Sequence, residues 1–220
     1  MRQIALIGNP NCGKTTLLNA LTGANLRVGN WPGVTVERRQ AELPLPGSRA
    51  MLNDLPGVYS LSPYSVEEQV AVSYLESGEP HMILLVLDAT NLERNLYLAL
   101  ELQKLGLPVV AALNLMDALR SGGGSVDVGA LSKCLGMPVI AVSAARHEGL
   151  DVLVDTLASV EIKPTHKRPV CDKNRPKFDD FLAHATAQYG RIGEILKKAK
   201  YCPPVQQEQP LDRLILHPVL

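Results

Sequence analysis

Two rhythms of apolar and polar positions alternate along this chain. Short apolar runs bounded by Gly, Pro, Asn and Asp read as strands at about 3–8, 36–43, 50–54, 82–88, 109–114 and 139–142. Between them, apolar residues recur at helical spacing at about 14–22, 65–77, 92–105, 128–135 and 149–158. Strands alternating with helices predict βαβ units. The expected fold is therefore α/β, with a mostly parallel sheet of six or seven strands and helices on both faces. The run 36–43 alternates most regularly and lies close to the next strand, so it is expected to run antiparallel at an edge.

After about Glu161 the texture changes. Residues 162–176 are rich in Lys, Arg and Pro and read as a linker; the basic run from Lys163 to Lys177 reads as solvated. A helix is predicted at 178–200, with an apolar face of Phe178, Phe181, Leu182, Ala185, Tyr189, Ile192, Ile195 and Leu196. Residues 202–210 are Pro- and Gln-rich, and 211–220 form a short apolar end. The expected division is a domain over 1–162, followed over 163–220 by a linker and a short helical appendage. No internal repeat is visible.

Composition narrows the function. A chain of 220 residues with 46% hydrophobic content can bury one sizeable core. Lys plus Arg and Asp plus Glu are 22 each, which gives no support for a general electrostatic grip on nucleic acid or anionic lipid. Cys12, Cys134, Cys171 and Cys202 are scattered, as suits a reduced, cytosolic setting. The first apolar run ends at Gly8 and Pro10, too soon for a signal peptide, and 82–87 is of strand length, not membrane-span length.

The chemistry is concentrated in loops that follow strands. Gly8-Asn9-Pro10-Asn11-Cys12-Gly13-Lys14-Thr15 fits G-x-x-x-x-G-K-[ST] between an apolar strand and a helix. Glycines let successive N–H groups point into one concavity, and the helix adds its positive end, so an anion is well held there. Lys14 is expected to reach the β- and γ-phosphates, and the Thr15 hydroxyl, followed by Thr16, to hold Mg²⁺. A second carboxylate for the metal is Asp54, at a strand end in Asp54-Leu55-Pro56-Gly57, where Gly57 offers an N–H to the γ-phosphate. Thr35, in Gly33-Val34-Thr35, lies in a loop long enough to fold over the nucleotide and complete the Mg²⁺ shell. Cys12 reads as a small filler, not a redox switch.

Asn114-Leu115-Met116-Asp117 follows another apolar strand. Such a turn places a carboxylate where it accepts from both the ring N–H and the amino group of guanine, a donor pair that adenine lacks. Asn114 is expected to tie this turn to the phosphate loop. Ser143-Ala144-Ala145, after the last strand, is expected to present a backbone N–H to the guanine O6. The ordered series predicts a protein that binds GTP and GDP and hydrolyses GTP, with the P-loop GTPase fold.

In order, these motifs resemble the translation-factor-related GTPases. GNPNCGKT at 8–15, VGNWPGVTVE at 28–37 and DLPGVYSL at 54–61 resemble more narrowly the cytosolic domain of the bacterial ferrous-iron transporter family, FeoB. PYSVEEQVAV at 63–72, DATNLER at 88–94 and, more loosely, LDRLILHPVL at 211–220 fit the same family. The resemblance implies a GTPase domain that gates or powers Fe²⁺ uptake on the cytoplasmic side of the inner membrane, with a downstream transmembrane domain as partner. A small cytosolic regulator or a second copy of the chain is a further implied partner; nucleic acid is not. The family's helical domain of about a hundred residues is shortened here to about fifty. By resemblance, Asn11 holds a K⁺ ion beside the β–γ bridge, helped by carbonyls near Asn30 and Trp31.

The position after D-x-x-G that often carries a water-orienting Gln is Val58, so unassisted hydrolysis is expected to be slow. Two other readings follow: a GTP-dependent switch with slow turnover, and a ribosome-associated GTPase, which the absence of an RNA motif disfavours. Arg38 and Arg39 read as solvated strand arginines, His147 and Glu148 as a solvated helix start, and Trp31 as a docking contact or lid. His81, His166, His184 and His217 show no metal-ligand spacing with the cysteines, so iron is not expected to bind within this chain.

Overall fold

The computed structural model describes residues 1–23, 26–62, 65–161 and 178–205, with the backbone alone over 178–185. The expected linker and the end at 211–220 lie outside the described residues. Seven strands form one sheet in the order β2-β3-β4-β1-β5-β6-β7. They are β1 Arg2–Gly8, β2 Arg27–Asn30, β3 Glu37–Leu45, β4 Ser48–Asp54, β5 Met82–Asp88, β6 Val109–Asn114 and β7 Val139–Ala141. β1 lies between β4 and β5, parallel to both, and β5, β6 and β7 continue the parallel order. β3 supplies the expected antiparallel pairing with β4, and the short β2, which the pattern did not predict, lies outside it.

The central strands β1, β5 and β6 are nearly continuous apolar runs because helices cover both faces. Ile4 and Leu6 of β1, with Leu84 and Val86 of β5, face one core that includes Leu17 and Leu18 of α1 (Lys14–Thr22) and Leu153 and Leu157 of α6 (Leu150–Ser159). Ala5 and Ile7, with Ile83 and Leu85, face the other. That core takes in α2 (Val66–Glu76), α3 (Leu92–Gln103), α4 (Met116–Ser121) and α5 (Val128–Leu135). α2 starts with a reciprocal cap: the Glu68 amide donates to Ser65 Oγ and the Ser65 amide to the Glu68 carboxylate, both at 3.1 Å.

The predicted C-terminal helix is α7, Phe178–Lys198. It packs on α3 and α5 through buried Ile192 and Ile195. Beyond it, the Tyr201 hydroxyl donates to Ala89 O at 3.1 Å and accepts from the Leu92 amide at 3.4 Å. Backbone bonds between Ser125 and Cys202 close the same junction. The helix is thus fastened beside the turn that follows β5. No helix among the described residues is long and apolar enough to cross a membrane.

Candidate nucleotide site

The loops at the carboxyl ends of β1, β4, β6 and β7 converge. Between β1 and α1, Asn9, Pro10, Asn11, Gly13, Lys14, Thr15 and Thr16 line a cavity of about 470 Å³, with Gly57 from the loop after β4 on its other side. Asn11 and Gly13 have positive φ, 65° and 81°, which turn the loop into the helix. A Cβ on Gly8 would lie 2.6 Å from Val86 O, and one on Gly13 would lie 2.4 Å from Asn114 Nδ2, so both glycines are required by packing. Cys12 is buried in the core behind the loop, and burial pushes its thiol up to about 11. It is a protonated filler at neutral pH.

The loop after β4 is held against β1. The Leu55 amide donates to Leu6 O at 2.9 Å and the Val58 amide to Gly8 O at 3.2 Å. Leu55 and Val58 are buried, and Gly57 faces Pro10. Asp54 at the end of β4 forms an ion pair with Lys14, and both side chains are nearly enclosed. Further along, the Leu61 amide donates to the Glu101 carboxylate at 2.7 Å, and burial holds the Glu101 carboxyl above its ordinary range.

On the other side of the phosphate loop, one asparagine ties three loops together. Buried Asn114 donates from Nδ2 to Cys12 O at 3.1 Å and accepts from the Ala144 amide at 3.0 Å. Leu115 turns with φ 63°, a left-handed conformation costing of order 1–3 kcal/mol, and starts α4. Met116 is buried, with its amide on Val142 O, and Asp117 stands next in partly open space. Buried Ser143 donates to Asp117 Oδ1 at 2.8 Å, and exposed Arg146 Nε lies 3.4 Å from Oδ2. The Ser143 hydroxyl, more than any other group, holds the Asp117 carboxyl below the usual range. Ser143 and Glu148 exchange backbone bonds at 3.1 Å, closing the loop that carries Ala144 and Ala145.

Gly33, Val34 and Thr35 are not brought to the phosphate cavity. Thr35 is exposed, and the loop packs instead on α2. Trp31 is buried there, edge-on to Tyr74 at 5.0 Å, and its amide donates to Val36 O. The expected lid or docking ring is a core side chain. Arg38 also departs from expectation: its guanidinium lies 4.5 Å above the Trp31 ring and donates to Asn53 Oδ1 at 3.3 Å. Arg39 pairs with Glu37 at the surface.

Two features of the site had no signal in the sequence: the Arg146 contact to Asp117, and Arg94, stacked 3.9 Å over Tyr59 in the loop after Gly57. Asn9 does have one, its place in the phosphate motif; its Oδ1 is buried without a partner. Among the described residues no group of His, Cys, Asp and Glu is placed to hold a metal ion alone.

Comparison with known proteins gives the family. The profile of the family described as ferrous iron transport protein B matches residues 2–157. The Fe(2+) transporter FeoB of Salmonella typhimurium is 49% identical over 194 residues, covering 84% of this chain and 24% of that protein. The chain thus spans about a quarter of that relative's length. The GDP-bound G-domain of S. thermophilus FeoB, a point mutant, superposes with a TM-score of 0.76 at 34% identity, covering 90% of this chain and 99% of that one. The cytosolic domain of T. maritima FeoB in its GMPPNP form gives 0.83 at 28% identity, again covering 90% and 99%. With the profile matching most of its length, the chain belongs to the ferrous iron transport protein B family.

Proposed function

We propose that this chain binds GTP and GDP and hydrolyses GTP, as the nucleotide-dependent part of a ferrous-iron transporter. The observation that carries the reading is the Asn114 bridge, which fixes the Asp117 turn and the Ala144 loop at a set distance from the phosphate loop. Because the Ala144 amide is used by Asn114, the amide assigned to the guanine O6 is that of Ala145. Asp117 accepts the two guanine donors. Lys14 leaves Asp54 for the β- and γ-phosphates, and Gly57 donates to the γ-phosphate across the cavity.

The donor set fits a hard divalent cation: the Thr15 hydroxyl beside the phosphates and the Asp54 carboxylate opposite, joined by the Thr35 hydroxyl when its loop leaves α2. Mg²⁺ held by these residues would supply positive charge against the phosphates. For K⁺, Asn11 lines the cavity, as does Asn9, whose buried Oδ1 has no partner. A monovalent cation held there would supply positive charge that no arginine lining the cavity provides.

In the whole transporter the cycle gates or powers Fe²⁺ passage through a downstream transmembrane part, from the cytoplasmic face. A small regulator or a second copy contacts this part. A slow switch is a second reading, favoured by Val58, a buried apolar side chain directly after Gly57 that cannot orient water. Turnover decides between them. GTP hydrolysis is expected to rise several-fold in KCl over NaCl, and Asn11→Ala to erase that difference. Equal rates in the two salts at the unassisted level would leave only the switch.

A further inference from the structure

Three clustered side chains away from the nucleotide site each carry a buried polar atom without a partner: Trp31 Nε1, Arg38 Nε and the Tyr74 hydroxyl. Their side chains line one cavity of about 330 Å³ between the 31–38 segment and α2. Trp31 is 6% exposed and Tyr74 4%. The indole and guanidinium nitrogens only donate, and a hydroxyl can donate as well. Burial pushes the Tyr74 hydroxyl up to about 12, so it keeps its proton at neutral pH. The indole Nε1 and guanidinium Nε have no acceptor although Glu79 stands in the same lining, and buried polar groups left unpaired are costly.

The rest of the lining says what carries that acceptor. Val34, Val66 and Val70 offer apolar walls, and the volume is in the range of small-molecule pockets. Arg38 is the one cation in the lining and Glu79 the one anion, an arrangement that favours a monoanion over a phosphate dianion. We propose that this cavity is a binding site for a small carboxylic acid with an apolar body, whose carboxylate accepts from Trp31, Arg38 and Tyr74. Access requires a small shift of these enclosed side chains, and the largely exposed loop bearing Trp31 is the side that gives. Because Trp31 shares that loop with Thr35, an occupant also holds Thr35 away from the phosphate cavity. This last consequence rests on the GTPase reading; the binding does not.

The chain has a single tryptophan, so one ¹⁵N-labelled indole signal reports the site directly. Benzoate titrated into the nucleotide-free protein is expected to shift that signal saturably, with benzamide at least about 10-fold weaker. Tyr74→Phe, which removes one oxygen and keeps the ring, should weaken benzoate about 5-fold, and Arg38→Gln about 10-fold. No saturable shift, equal response to benzamide, or wild-type affinity in Tyr74→Phe overturns the proposal. In GTP turnover, benzoate should inhibit the wild type, and Tyr74→Phe only at about 5-fold higher concentration. A saturable shift with unchanged turnover supports the site and overturns its coupling to the loop.

Discussion

Asp117→Asn is expected to lower GTP affinity by roughly 100- to 10,000-fold and to raise affinity for xanthosine triphosphate. Guanine presents a ring N–H and an amino group side by side, and both need an acceptor. Hydrogen bonds to a charged acceptor contribute about 1.5–3 kcal/mol each; in the variant one gives way to a donor facing a donor and the other loses its charged acceptor. An amide offers one acceptor and one donor, which matches the N–H and carbonyl of xanthine. The surroundings favour that swap. The Ser143 hydroxyl donates to Oδ1, so it selects the amide oxygen at that position and turns the amide nitrogen toward the base side. Arg146 is exposed and can withdraw from the nitrogen. Competition binding against a fluorescent guanine nucleotide measures both affinities. Unchanged selectivity would remove Asp117 from the base site.

Lys14→Met should act on two observables at once. Lys14 and Asp54 form an ion pair with side-chain exposures of 12% and 8%, so deleting the ammonium leaves a nearly buried carboxylate without a counter-charge. Breaking such a pair costs about 3–5 kcal/mol. The nucleotide-free protein should therefore unfold at clearly lower urea, and Mg²⁺–GTP affinity should fall at least about 100-fold as the phosphates lose their cation. Asp54→Asn added to Lys14→Met removes the stranded charge, so the double variant should regain much of the urea midpoint while still failing to bind GTP. If stability and binding return together, or if Lys14→Met unfolds like the wild type, the ion pair does not have this role.

Much of the site was legible because its parts are local. A glycine loop between strand and helix, a carboxylate at a strand end and an N-x-x-D turn each need only a few consecutive residues. The Asn114 tie is also local in its signal, the first residue of the N-x-x-D turn after an apolar strand, and its amide does bond Cys12 O. What was not legible depends on contacts distant in sequence. β2, Arg27–Asn30, is exposed at all four positions and pairs on one side only, so it has no apolar rhythm to betray it. Trp31 reads as a mobile ring in a polar loop until Tyr74, more than forty residues on, is placed beside it. Arg38 changes from a solvated arginine to a stacked one for the same reason. Thr35 follows Trp31: where that ring is buried, the threonine is carried off the phosphates.

The docked helix shows the same limit. The apolar face of α7 was visible, but its destination was not. Tyr201 reaches the turn after β5 and fixes the appendage beside the start of α3, whose Arg94 stacks on Tyr59 and accepts through its carbonyl from Asn9 at 3.4 Å. A continuous set of contacts thus runs from the appendage to both phosphate-facing loops.

Titration of the nucleotide-free protein with GTP and with ATP, each with Mg²⁺, tests the reading most directly. The Asp117 carboxylate, fixed by Ser143 and set at its distance by Asn114, should make GTP bind at least about 100-fold more tightly than ATP. Equal affinity for the two, or no retention of guanine nucleotide, would contradict it.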